Sequence, residues 1–361
     1  MRLLSRVAER LFWMARYMER AEDTARLTQA FCHLYMDIPE GTELGWDVLV
    51  NILDGQPAFE SRFRVYNEQN VLKFLIADED NFASIRQSIK AARENVRTTR
   101  DVLPAEAWEH VNELYHYTRE HAETSIGRRN RHQFLDEVQG RCQIVSGLVL
   151  TTMCRDNAFR FMALGHLLER ADMTTRIIDV GAGALLGTGR NNQTIDPLIW
   201  GSILQSLSAV STYRRTVGPL PEANQVVEFI FKEPTLPRSL QFCLNSIRGE
   251  LKQLHNNTIP LKALERARRA WDTGDYPTAL QQLQKLLASP QGAKHKRAIA
   301  LLTGDEGRRR AQTDHFAETG RFFYEMIELS KLGIPTVCVV MGSSTAGGAY
   351  QPGLSDYNIV V

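Results

Sequence analysis

Apolar residues return every third or fourth position through roughly the first 290 residues, the spacing of helices that bury one face. The pattern starts with Leu4, Val7, Leu11, Met14, Met18, Ala21 and Ala25, leaving Arg6, Glu9, Arg10 and Arg16 for other faces. It predicts a helix over 3–35, ended by Asp37-Ile38-Pro39-Glu40-Gly41. Asp80-Asn81 is placed to cap a helix running through Arg100, and Pro104 to open the next at its first turn. Residues 132–155 and 156–180 read as two more long helices. Asp196-Pro197 reads as a capped start, Pro219 and Pro221 as loop, and Pro237 as the beginning of a helix carrying Phe242 and Leu244. The expected result is an all-α bundle of long, roughly antiparallel helices.

The same pattern is written twice. Glu19-Arg20-Ala21-Glu22-Asp23-Thr24-Ala25-Arg26 returns as Glu169-Arg170-Ala171-Asp172-Met173-Thr174-Thr175-Arg176, 150 positions later. Val71-Leu72-Lys73-Phe74-Leu75-Ile76 with Ser84, Ile89 and Arg93 parallels Val226-Val227-Glu228-Phe229-Ile230-Phe231 with Ser239, Leu244 and Arg248, offset by 155. Trp46 matches Trp200. Small drifts in offset are what loop insertions do to a copied unit. The expected division is a first helical repeat over 1–150 and a second over 151–292.

From residue 293 to 361 the pattern changes. Ala298–Leu302 reads as a strand, Phe316–Ser330 as a helix, and Thr336–Met341 as a fully apolar strand. A glycine turn, Gly342–Tyr350, and a strand-like run, Tyr357–Val361, follow. The fold class is therefore mainly α: a duplicated long-helix bundle with a short C-terminal α/β segment.

Composition bounds the chemistry. The chain has 361 residues, 43% hydrophobic and 24% charged, which is enough to bury one large core or two ordinary ones. A formal charge of +1 gives no general reason to expect nucleic acid or an anionic membrane as partner. Cys32, Cys142, Cys154, Cys243 and Cys338 lack paired spacing, which argues against a zinc site and fits a reducing compartment, so the cytoplasm is expected. No stretch approaches the roughly 20 apolar residues of a membrane span.

The candidate binding residues are Glu19, Arg20, Arg26, Glu169, Arg170 and Arg176. One reading makes them ion pairs at a pseudo-twofold centre where the copied helices meet. The other makes them a polar pocket for an anionic or peptide-like ligand, since arginine forks suit carboxylate and phosphate. Buried ion-pair networks are commoner than sites, which favours the first. Three other signals are set aside. Asp179–Gly187 looks like a dinucleotide loop but follows a helical pattern, so it reads as a helix end and loop. His110, His116 and His121 share no helix face. Arg128-Arg129-Asn130-Arg131-His132 reads as a solvated basic loop.

Residues 1–290 resemble the alpha-E family of bacterial helical proteins, whose name comes from a Glu-Arg motif. The resemblance is carried by Leu4–Tyr17, Ala91–Arg100 and Leu168–Arg176, with Glu19-Arg20 and Glu169-Arg170 as the motif. It implies a non-catalytic accessory role beside ATP-grasp ligase-like and transglutaminase-like proteins, in peptide formation or protein modification. It implies no cofactor.

Residues 312–361 resemble the carboxyltransferase subunit of biotin-dependent acyl-CoA carboxylases, a crotonase-like fold. The carrying phrases are Gly320–Tyr324, Gly333-Ile334-Pro335, Gly342–Tyr350 and Pro352–Tyr357. In such enzymes acyl-CoA meets carboxybiotin carried on a partner protein, and a biotin carboxylase subunit assembles with them. The resemblance makes the backbone amides of Gly347 and Gly348 candidate catalytic groups, holding an enolate in an oxyanion hole. Two departures count against activity. Gly304-Asp305-Glu306-Gly307 puts carboxylates where such enzymes carry small residues, and the sequence stops at Val361 with the acyl-CoA cavity unwalled. Carboxyltransferase activity is expected only if another chain supplies the missing parts. The abrupt join is expected to mark either a natural fusion or a recombined reading frame.

Overall fold

Helix α1 (Ser5–Asp37) is buried on every side between Leu11 and Thr28, which is why it lies at the centre instead of on the surface. The computed structural model describes residues 3–39, 44–187, 195–272, 337–340 and 357–360. After α1 come α2 (Asp47–Ile52), α3 (Gln56–Glu60), α4 (Glu68–Ile76), α5 (Ile85–Arg97), α6 (Ala105–His121) and α7 (Arg128–Thr152). The second half holds α8 (Asn157–Gly187), α9 (Asp196–Ser206), α10 (Val210–Thr216), α11 (Ala223–Lys232), α12 (Leu240–Lys252) and α13 (Thr258–Asp272). These belong to one compact unit, Met1–Thr303, while Gly304–Val361 forms a second.

Helices α5, α7, α8 and α9 pack around α1, and α8 in turn packs on α2, α9 and α12. The central pair, α1 and α8, runs in the same direction. Gly165 lies against Phe12 and Ala15 near one end, while Ala30 and Gly181 both reach α9, at Ser202 and Ile203, near the other. The expectation of roughly antiparallel helices is corrected here: copied helices related by a twofold along their length must run parallel. Glycine makes the close approach feasible. A Cβ at Gly165 would sit 2.3 Å from the Phe12 carbonyl oxygen.

The copies match in detail around this pair. Thr24 Oγ1 donates to the Ala83 carbonyl at 3.5 Å, and Thr174 Oγ1 donates to the Arg238 carbonyl at 3.0 Å. Each carbonyl immediately precedes a capping serine. Ser84 accepts from the Gln87 amide to start α5, and Ser239 accepts from the Phe242 amide to start α12. The cap of α5 is thus Ser84 and not Asp80-Asn81. Asn81 instead donates to the Phe74 carbonyl at 2.8 Å and accepts from the Ala83 amide at 3.0 Å, forming the turn before the helix.

Two further expectations are corrected. Residues 179–187 continue α8 to Gly187, and Gly181 lets the Ile203 side chain approach, so this glycine serves helix packing. Residues 128–132 form the first turn of α7, and Arg131 is buried, paired with Glu68 at 2.8 Å.

In the second unit β1 (Val337–Val340) and β2 (Tyr357–Val360) pair in parallel, in the register Val337 to Tyr357 through Val340 to Val360. Parallel neighbours need a crossover connection, as α/β layers supply. The strand at 298–302, the helix at 316–330 and the glycine turn with Gly347 and Gly348 lie outside the described residues. Among the described residues no helix is long and apolar enough to cross a membrane.

Candidate polar pocket at the pseudo-twofold

The Glu-Arg rows of the two copies exchange partners across the α1–α8 contact. Glu19 accepts from Arg170, and Glu169 accepts from Arg20 at 2.5 Å. One turn earlier the exchange repeats: Arg16 donates to Glu169 at 2.5 Å, and His166, its counterpart in the second copy, lies 2.9 Å from Glu19. Such reciprocity is the signature of an isologous twofold contact. Both carboxylates are buried, yet both stay ionised. Burial alone would raise Glu169, but Arg16 and Arg20 overcome it and hold the group down at about 2. Burial likewise opposes ionisation of Glu19, and Arg170, Arg238 and the His166 hydrogen bond outweigh it, holding the carboxyl well below its usual range.

On one side of the axis the space beyond Glu19 is filled. Arg238 enters from the turn before α12 and pairs with Glu19 at 3.1 Å, Glu22 at 3.2 Å and Asp23 at closer range. Arg26 pairs with Glu22 and reaches Asp23 at 3.4 Å, and Gln143 adds a contact to Glu22 at 3.4 Å. Three carboxylates in one buried space are hard to ionise together. Burial, with Glu19 and Glu22 adding to it, pushes Asp23 up to about 7 against the pull of Arg238 and Arg26. The second oxygen of Asp23 has no partner in the structure.

On the other side the corresponding space is open. Ala83 stands where the second copy has Arg238, and Met173 where the first has Asp23. A cavity of about 310 Å³ results, with Arg20, Glu169, Asp172, Met173, Arg176 and Ala83 on its walls. Arg20 turns Nε to Glu169 and Arg176 turns Nε to Asp172 at 3.1 Å. Their side chains are 18% and 36% exposed, against 9% for Arg238. Asp54, Asp80 and Phe82 form the mouth, and Phe82 is 65% exposed.

Of the predicted residues, Glu19, Arg20, Glu169 and Arg170 are brought together across the axis. Arg26 and Arg176 instead pair within their own helices, Arg26 in the filled half and Arg176 on the open cavity. Gly347 and Gly348 lie outside the described residues. The reading of the rows missed Arg16, His166 and Arg238. The copy offset that aligns Arg16 with His166 could have found the first two; Arg238 aligns with an alanine and left no signal.

Residues 3–301 match the Alpha-E family, described as a predicted alpha-helical domain with a conserved ER motif. Residues 278–361 match the carboxyl transferase domain. An uncharacterized protein of Mycobacterium tuberculosis strain H37Rv is 26% identical over 270 residues, 69% of this chain and 30% of the relative. The chain therefore spans about a third of the length of the curated relatives it matches there. A probable biotin-dependent acyl-coenzyme A carboxylase beta2 subunit of the same organism is 38% identical over 81 residues, 22% of this chain and 15% of its own. A probable mitochondrial methylcrotonoyl-CoA carboxylase beta chain of Drosophila melanogaster is 55% identical over 42 residues, 12% of this chain and 7% of its own. No solved structure matches the chain.

Proposed function

The chain belongs to the Alpha-E family, and from that premise we propose that its helical unit is a non-catalytic binding module holding the carboxylate end of a peptide-like ligand between Arg20 and Arg176. The observation that carries this reading is the unequal filling of two copied spaces, one closed by Arg238 and one left open by Ala83. Guanidinium groups on the wall of a cavity this size suit a carboxylate, and the volume falls within the roughly 300–1,000 Å³ of small-ligand sites. The wall offers little for catalysis. Among the described residues it contains no Ser, Cys, His or Lys, and Glu169, held at about 2 by its arginines, is too weak a base near neutral pH. A module that presents a peptide end suits ATP-grasp ligase-like or transglutaminase-like partners, as the family resemblance implies.

Calorimetric titration of the full chain with alanyl-leucine and with its C-terminal amide tests the reading. The acid should bind at least about tenfold more tightly than the amide. Arg176→Ala should erase the difference while leaving the melting temperature nearly unchanged, because Arg176 pairs at the surface of its own helix. Equal affinity of acid and amide, or no binding of either, overturns it.

A second reading rests on residues 278–361 and their similarity to the carboxylase subunits. In it this segment contributes to a carboxyltransferase completed by another chain, with acyl-CoA as substrate, carboxybiotin and a biotin carboxylase subunit supplied by partners, and Gly347 and Gly348 as oxyanion donors. A ligand that binds only the folded state raises the melting temperature, so a rise with acetyl-CoA favours this reading and its absence counts against it.

A further inference from the structure

Resting on the carboxylate reading, we propose that the open cavity also recognises a cationic amine through Asp54 and Asp80, so that its occupant is a short peptide or amino acid free at both ends. The filled half shows what this geometry accepts. There the guanidinium of Arg238 occupies the space and is met by carboxylates of α1, Glu22 and Asp23. In the open half Asp172 keeps the place of Glu22 on the helix, and the second acid stands on the turn. Met173 stands in the place of Asp23, while Asp80 stands where the second copy has Thr235. Asp54 joins it across the mouth. Both are exposed, and neither has a cationic partner among the described residues.

Inside, Arg16 and Arg20 share the single carboxylate of Glu169 while Asp172 pairs with Arg176, so the inner end carries one cation more than its carboxylates match. A simple anion entering here meets two arginines but passes two uncompensated carboxylates. A simple cation meets the reverse. A zwitterion satisfies both ends at once, which selects free peptides over phosphate or other compact anions. Leu53, Ala58, Met173 and Phe82 supply apolar wall between the two poles. Asp54 also has a left-handed backbone, φ 53°, a conformation tolerated best by Asn, Asp and Gly. Asp54→Asn therefore removes the charge while keeping the turn.

The test titrates the full chain with alanyl-leucine, its N-acetyl derivative and orthophosphate. The free dipeptide should bind about tenfold more tightly than the N-acetyl form, and orthophosphate should not compete. The double change Asp54→Asn, Asp80→Asn should abolish that preference while the preference for acid over amide persists. Ala83→Arg, which places in the open half the residue that fills the other, should abolish dipeptide binding with the melting temperature maintained or raised. Equal binding of free and N-acetyl dipeptide overturns the proposal and leaves the carboxylate reading standing. Loss of the acid-over-amide preference instead sinks both.

Discussion

Arg170 clasps Glu19 through two hydrogen bonds, from Nε at 2.7 Å and from Nη2 at 3.0 Å, although the two residues belong to opposite copies of the repeat. The mirror pair, Arg20 with Glu169, makes the arrangement self-complementary. Neither copy satisfies its own glutamate, so the buried charges tie the copies to each other. Conformational specificity follows: a slip of α1 against α8 by one turn costs each glutamate one of the two partners it has across the axis.

Glu19→Gln should therefore destabilise the helical unit by about 3–5 kcal/mol, since it leaves Arg170 without its carboxylate and takes from Arg238 one of its three. Replacing Glu19 and Arg170 together by leucine should cost less than the sum of the single changes, because no unpaired charge then remains between them. Urea unfolding of Glu19→Gln and of the four proteins in the leucine cycle measures both. Strict additivity would show that the two residues act independently.

Gly165→Ala should cost about 2–4 kcal/mol, because the new methyl lands 2.3 Å from the Phe12 carbonyl, a backbone atom that cannot rotate away. Gly147→Ala is the control. Nothing lies within 4 Å of a Cβ there, in the middle of α7, so this change should stabilise by about 0.5–1 kcal/mol. Melting temperatures moving in opposite directions would confirm that close helix approach, and not helix propensity, keeps glycine at 165.

Ser84→Ala and Ser239→Ala should each cost about 1–2 kcal/mol. Each serine accepts from the amide three residues on, and each also donates back, Ser84 to the Asp78 carbonyl and Ser239 to that of Glu233. Equivalent losses at the two sites, read from thermal unfolding, would show that the copies retain the same local design. Asp80→Ala should have no comparable effect, since that residue caps nothing.

What was legible in the sequence was what is local. Three-and-four periodicity located α1, α7 and the start of α8 to within a few residues, and the repeated phrase marked Glu19-Arg20 and Glu169-Arg170 as equivalent. The direction of α8 along α1 was not, because periodicity describes a face and says nothing of the partner it meets. Arg16 was left on another face than the apolar row for the same reason: a charged residue shows no buried partner until Glu169 arrives from 153 residues away. Arg238 was invisible. It lies in the turn before α12, which starts at Leu240 behind its Ser239 cap and not at Pro237 as the sequence reads, and its role depends on Thr174 holding its carbonyl and on α12 packing against α8. The cap at Ser84 was missed because Asp80-Asn81 carries an equally good capping pair, which the chain uses for a turn instead.

The buried carboxylates should give the stability of the helical unit opposing slopes with pH. Glu169 is held down at about 2 from an ordinary 4.5, so its contribution is present above about 4.5 and is lost as the pH falls toward and through about 2. Asp23 behaves in the opposite sense. It is pushed up from 3.8 to about 7, so its contribution is greatest below 3.8 and is lost as the pH rises toward and through about 7. The cause is burial first, with Glu19 and Glu22 adding to it, in a dry space where Asp23 has one oxygen without a partner. Asp23→Asn mimics the protonated group and removes the second slope. Unfolding free energies of the native chain and this variant, measured in urea from pH 4 to 8, should diverge in favour of the variant by about 3–4 kcal/mol over that range. A difference that stays flat with pH would mean that Arg238 and Arg26 keep Asp23 ionised, and that all three acids of the filled half carry charge together.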